Sequence, residues 1–346
     1  MKFLRLAFYV LIAQLVLSGC AGEAVEETSS SEINFDAYLG RNASTRARVT
    51  DIDFLKGKEW YSGFGVFARY NHNGKISSLM DTEHVTWEEN HWKYTNTRYW
   101  PNEGTVDFYA FAPYNPAVKL VSPNSNSNEA NPTYIEFTSL TVDLVWANAK
   151  DRTTTNEPVK FTFNHALARL SFDITANQKL KENGAVITVE EVKLYGESDD
   201  KGAFDITGYL NLKKGEWVLV KDVNTREVYT WTPTGLENGT SFKLSASQLD
   251  HTCEKIENAP NSYLCIIPQV KYFPFYLQIT YKVKQGDFEE KVTVKKNLLD
   301  VLRPGVSNPS FSFEIGKTYV FHLKLSLDPI NFNVTNDVEP WKGGER

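Results

Sequence analysis

Phe161-Thr162-Phe163-Asn164-His165-Ala166-Leu167-Ala168-Arg169-Leu170-Ser171-Phe172 is the stretch that decides the fold. On a period of two, Phe161, Phe163 and His165 share one face, which continues through Leu167, Arg169 and Ser171. Ala166, Ala168, Leu170 and Phe172 take the other face. The segment reads as one long strand. His165 within it is expected to hydrogen-bond across two strands. A general base at this position would need a nucleophile partner, and the sequence supplies none.

The same alternation recurs on both sides. Upstream, Ile33, Phe35, Ala37 and Leu39 fall on one face of Ile33-Asn34-Phe35-Asp36-Ala37-Tyr38-Leu39, a half-buried strand. Residues 63–70 (GFGVFARY) form another. Its G-x-G runs on in strand pattern instead of opening a helix, so it carries no nucleotide signal. Residues 82–94 read as a hairpin turning at Glu89-Asn90, and a turn at Gly104 leads into Val106-Asp107-Phe108-Tyr109-Ala110-Phe111-Ala112-Pro113. Residues 115–132 are rich in Pro, Asn and Ser and read as loop. Strands at 143–147 and 160–175 bracket a polar loop at 148–157.

Further strands are expected at 186–195, 202–206, 241–249, 263–268, 273–283, 289–294 and 318–327, with a hairpin between 217–220 and 228–231. Residues 295–302 offer the best short helix. Short strands with frequent turns argue for an all-β chain of two β-sandwiches, broken near the 148–157 loop. The expected division is 1–19 leader, 20–48 tether with the first strand, 49–155 first sandwich, and 156–346 second sandwich ending in a strand at 329–341.

The N-terminus carries its own information. Lys2 and Arg5 precede an apolar run at 6–17, too short to span a bilayer comfortably, and Leu17-Ser18-Gly19-Cys20 follows. Small residues directly before a cysteine are similar to the bacterial lipobox, in which the sulfur is lipidated and becomes the new N-terminus. The expected anchor is therefore outer-membrane lipid through Cys20, and the acidic residues just after it resemble a lipoprotein surface-export signal, which makes the cell surface the expected place. Glu23, Glu26 and Glu27 lie in a Ser-rich tether with too little apolar surface to fold alone. Lipidation of Cys20 leaves Cys253 and Cys265. These two either close a short disulfide loop, worth about 3 kcal/mol on the loop-entropy picture, or stay as two buried thiols.

A net charge of −6 with mixed signs excludes a basic nucleic-acid footprint. His84 and His91, with Glu83, Glu88 and Glu89, are the one cluster to weigh as a metal site, but the spacing is that of a hairpin, not of a helical H-E-x-x-H. No G-x-S-x-G or paired-acid signature occurs, so neither an enzyme nor a cofactor is expected. Trp87, Trp92, Tyr94, Tyr99 and Trp100 lie close in sequence. They read either as a glycan-stacking surface or as sandwich core. The sequons at Asn42, Asn238 and Asn333 carry little weight.

Several stretches together resemble the fimbrillin family of Bacteroidetes, the major-fimbria and minor-fimbria pilin lipoproteins. They are the lipobox, Thr45-Arg46-Ala47, Phe64-Gly65-Val66-Phe67-Ala68, Tyr99-Trp100-Pro101, the 106–113 segment, Asp143-Leu144-Val145-Trp146-Ala147, the 161–170 segment and Ile266-Ile267-Pro268-Gln269, with a C-terminal strand closing on Trp341. The resemblance covers nearly the whole chain. It implies two tandem transthyretin-like β-sandwiches and a structural role in a surface fimbria, with other fimbrial subunits as partners. It also implies maturation by a trypsin-like protease after Arg46, with Arg48 next and Arg41 third. The alternative is a non-polymerising surface lipoprotein of the same fold that binds glycan or a host protein.

Two segments suggest how subunits would join. Ile33-Asn34-Phe35-Asp36 and Ile330-Asn331-Phe332-Asn333-Val334 alternate in the same order. If cleavage frees the first strand, the uncovered trench could be refilled by the C-terminal strand of a neighbour, with Ile330, Phe332 and Val334 pointing inward. The contact would be head-to-tail and would build an open filament. The alternative is that the C-terminal segment completes its own domain.

Overall fold

In the computed structural model, residues 31–39, 52–123, 131–138, 143–176, 184–220, 226–231, 242–243, 264–325 and 333–340 are described. The fold is all-β, as the alternation implies.

The first sheet has seven strands. They are β1 (Phe35–Leu39), β2 (Phe64–His72), β3 (Lys75–Glu88), β4 (His91–Lys93), β5 (Thr105–Ala112), β7 (Val145–Arg152) and β8 (Val159–His165), in the order β1-β8-β7-β5-β2-β3-β4. The sheet curls until β1 and β4, its two ends, touch. Inside lie Phe35, Phe64, Val66, Met80, Trp92, Trp100, Phe108, Phe161 and Phe163. The hairpin at Glu89-Asn90 forms where expected. Both residues have positive φ, 50° and 66°, the pairing that matches the right-handed twist of the flanking strands. A one-turn helix, α1 (Ile52–Leu55), packs Leu55 into the same core.

β5 shows why the 106–113 segment is nearly all apolar. Val106, Phe108, Ala110 and Ala112 face the first core, while Tyr109 and Phe111 face a second one. That second core is covered by a three-stranded sheet of β6 (Tyr134–Thr138), β11 (Thr207–Asn211) and β12 (Glu216–Leu219), in the order β12-β11-β6. The expected hairpin between 217–220 and 228–231 does not form. β12 turns back on β11 instead, because the Asn211 side chain accepts from the backbone N–H groups of Lys213 and Lys214 and Gly215 takes a φ of 74°. The expected loop at 148–157 starts later than the sequence suggests. β7 runs on through Arg152, held by the Asn148 amide donating to the carbonyls of Leu212 and Lys213.

The third core lies between two sheets. One is formed by β10 (Val186–Tyr195), β13 (Tyr229–Trp231), β17 (Tyr276–Gln285) and β18 (Phe288–Asn297). The other is built on β9 (Ala168–Ala176), β14 (Phe242–Lys243), β20 (Lys317–Leu325) and β21 (Asn333–Pro340), with β15 (Leu264–Ile266) also paired to β9. A small pair, β16 (Gln269–Lys271) with β19 (Phe311–Phe313), and a short helix α2 (Leu298–Leu302) close its ends. The helix begins three residues later than the 295–302 expectation, where the Asn297 side chain accepts from the Leu299 N–H.

The 161–172 stretch is not one strand. It breaks at Ala166-Leu167 and enters a second sheet. The buried face switches with the break, from Phe161 and Phe163 in the first core, through Ala166 and Leu167 in the second, to Ala168, Leu170 and Phe172 in the third. One segment therefore threads all three cores. Because β8 pairs with both β1 and β7, the first sheet extends to His165.

Candidate functional site

The first strand occupies the seam of the curled sheet. Along Phe35–Leu39 it pairs in parallel with β8, in the register Phe35 to Val159 and Leu39 to Phe163. Just before, the chain pairs on its other side. The Ile33 N–H donates to the Arg98 carbonyl at 2.8 Å, and the Trp100 N–H donates to the Ser31 carbonyl at 3.0 Å. Removing this segment would leave two sets of backbone groups without partners, one on β8 and one at 98–100. Ile33, Phe35 and Ala37 are buried, whereas Glu32, Asn34 and Tyr38 face outward. Burial of Ile33 and Phe35 contributes on the order of 3–6 kcal/mol.

Phe35 sits in a socket of rings. Its centroid lies 5.4 Å from Tyr94, 5.7 Å from Phe161, 5.9 Å from Phe108 and 6.4 Å from Phe64. The Phe161 ring is stacked on it, and those of Phe64 and Phe108 meet it edge-on. Tyr94 also reaches the main chain. Its hydroxyl donates to the Ile33 carbonyl at 2.7 Å and accepts from the Arg98 N–H at 3.0 Å. Burial pushes the Tyr94 phenol upward, the Arg98 hydrogen bond opposes this, and the Glu83 and Glu32 carboxylates add to the rise. The group therefore stays protonated and able to donate. The sequence alone gives no sign that Tyr94 holds the first strand.

The C-terminal segment lies elsewhere. β21 is an edge strand on β20, and Val334 opposes Leu323 in the chain's own sheet. Ile330 and Phe332 lie outside the described residues, as do Cys20, Arg46, Arg48 and Cys253. Cys265 is a half-buried residue of β15, opposite Arg169.

The other candidates have structural places. His165 Nδ1 lies 2.9 Å from an Asp143 carboxylate oxygen, both side chains nearly fully buried; the partner lies two residues before β7, not on a strand as expected. His84 and His91 are not brought together. His84 stacks on Tyr114 with centroids 3.6 Å apart and contacts the Ser62 carbonyl through Nε2, and His91 sits at the hairpin end against the Glu89 carbonyl. No group of three metal-ligating side chains occurs among the described residues. Of the five clustered aromatics, Trp92 and Trp100 are core, Trp87 and Tyr94 pack against the core, and Tyr99 is half exposed. They do not form one sugar-binding face.

Comparison with known proteins agrees with this architecture. A family model described as fimbrillin-like matches residues 45–341. A curated relative, the fimbrium subunit Fim1C of Phocaeicola vulgatus, is 23% identical over 96% of this chain and 95% of its own length. The crystal structure of a fimbrial protein from Bacteroides vulgatus superimposes with a TM-score of 0.60 at 21% identity. That match covers 90% of this chain and 99% of the other. With the curled sheet, the seam strand and a family match running over nearly all of the chain beyond that strand, this protein belongs to the fimbrillin-like family.

Proposed function

We propose that this chain is a structural subunit of a surface fimbria. It is exported as a lipoprotein on Cys20, matured by a trypsin-like protease after Arg46 or, failing that, Arg48, and polymerised by strand exchange. The observation that carries the reading is the seam. A short strand supplies Ile33, Phe35 and Ala37 to the core and, among the described residues, is held by hydrogen bonds along its two edges, by the Tyr94 hydroxyl and by packing. Such a strand can be replaced by another of like pattern without rebuilding the sheet. The family match begins at residue 45, just beyond that strand.

Exchange supplies a driving force. An emptied seam exposes aromatic rings and unpaired backbone, and refilling it restores both. Residues 330–334 of a neighbour present Ile330, Phe332 and Val334 inward. Among the described residues β21 is itself an edge strand and breaks one ladder on leaving its own sheet. The partners are then other copies or related subunits, joined head to tail.

The test is made on protein released from the cell surface. Native electrophoresis should give a ladder that collapses on heating, and N-terminal sequencing of ladder material should start at Ala47 or Val49. A lone monomer band with an intact lipidated N-terminus would overturn the reading in favour of a non-polymerising surface lipoprotein.

A further inference from the structure

The outer face of the sheet built on β10, β17 and β18 treats its lysines in two ways. Toward one end, Glu190 takes Lys282 at 3.0 Å and Lys291 at 2.9 Å, and Glu289 lies 3.7 Å from Lys282. Toward the other end, Thr230, Lys193, Gln278 and Lys295 stand in register as one row across β13, β10, β17 and β18. Val192, Leu194, Leu277 and Val294, next to them in sequence, point into the third core, so the row faces away from it. Among the described residues no carboxylate lies within ion-pair distance of Lys193 or Lys295. Glu191 stands in the next row, opposite Thr280. Asp200 feels the Lys193 charge but bonds first with the Ser198 hydroxyl.

The two ammoniums rest on rings instead. Lys295 Nζ lies 3.9 Å from the Tyr276 centroid and 5.1 Å from that of Tyr195, and Lys193 Nζ lies 5.5 Å from Tyr195. The tyrosines themselves stack at 5.7 Å. A ring face holds an ammonium in place without neutralising it. Between the lysines, the Gln278 amide oxygen accepts from the Tyr195 hydroxyl at 3.5 Å, which leaves the amide NH2 group to donate elsewhere.

We propose that this row binds an acidic sugar. Its carboxylate or sulfate sits against the Lys193 and Lys295 ammoniums, and its ring hydroxyls against Gln278 and Thr230. The row offers two ammoniums, an amide and a hydroxyl, and no carboxylate belongs to it. β10 and β17 are interior strands with their backbone groups already paired on both sides, so a peptide cannot add here as a strand and recognition falls to side chains. The chain carries a net charge of −6, so general attraction does not draw a polyanion to it and the affinity is local. The site is independent of strand exchange.

The test is calorimetric titration of the full-length protein at low salt with three hexasaccharides, one of galacturonate, one derived from heparin, and neutral maltohexaose. A charged hexasaccharide should bind and maltohexaose should not, and the tighter of the two charged ones names the acid group. Lys193→Gln with Lys295→Gln should weaken binding at least about tenfold, and Gln278→Ala about threefold. Lys282→Gln with Lys291→Gln makes the same change in net charge on the same face and should stay within about twofold. Each variant is compared at a circular dichroism spectrum matching the wild type. Absence of binding by both charged sugars would overturn the proposal, as would an equal loss from the two lysine pairs. Binding of a hexaglutamate peptide as tightly as the sugars would show that the row reads charge alone, and would overturn the sugar assignment.

Discussion

The Trp217 indole N–H donates to the Ala166 carbonyl at 2.8 Å, tying β12 to the point where the chain passes from β8 to β9. Ala166 is fully buried, so the bond satisfies a carbonyl that water does not reach. Trp217→Phe keeps an aromatic ring and removes the donor. Urea unfolding should show a loss of about 1–3 kcal/mol. An unchanged midpoint would mean that the carbonyl is satisfied in another way.

A second expectation concerns pH. Lys271 is nearly fully buried, donates to the Ala203 carbonyl and lies over the rings of Phe204 and Phe275. Burial first, then the nearby Arg226, lower its pKa to about 8 from an ordinary 10.5, against the opposing pull of Asp205 and Glu197. The unfolded chain then holds more protons between those two values. The penalty for the buried charge is complete below pH 8 and is relieved as pH rises toward 10.5. Lys271→Met removes it. The stability of the variant relative to wild type, from urea midpoints, should therefore be greatest near pH 7 and shrink by pH 9.5. A difference independent of pH would contradict the buried-charge account.

Close packing across β2 and β5 gives a third. Gly65 opposes Phe111, and a Cβ at Gly65 would lie 2.4 Å from the Phe111 ring. Phe111 is itself buried and cannot swing away freely. Gly65→Ala should cost about 1–3 kcal/mol through overpacking, read as a lowered thermal midpoint. A neutral substitution would show that the second core has room.

Period-two alternation made much of this legible. β1, β5, β10 and the Glu89-Asn90 hairpin follow from side chains that alternate between core and water or between two cores. The break at Ala166-Leu167 was hidden because both residues are apolar, and alternation cannot register a switch from one buried environment to another. Partner choice was equally hidden. Glu216–Leu219 and Tyr229–Trp231 look like a hairpin locally, yet each pairs with a different strand, since strand pairing is decided by long-range packing. The seam strand was readable from Ile33, Phe35 and Ala37, but its socket draws on Phe64, Tyr94, Phe108 and Phe161, spread over four distant stretches.

The anchor makes a fourth expectation. If Cys20 carries the lipid, Cys20→Ala abolishes palmitate labelling and leaves an uncleaved or secreted precursor. No helix among the described residues is long and apolar enough to cross a membrane in its place. Labelling that persists in the variant would place the lipid on another residue.

Strand exchange itself is tested most directly by Ile330→Asp with Phe332→Asp in the full-length chain, expressed in a cell that assembles the wild type. Two carboxylates on the inward face should bar residues 330–334 from a neighbour's seam, since burying unpaired charges costs several kcal/mol each. The measurement is native electrophoresis of surface-extracted protein, with circular dichroism on the same material. The expected result is a folded monomer and no ladder. A heat-sensitive ladder that persists in the double variant would contradict strand exchange through this segment, and an unfolded monomer would assign the segment to its own core.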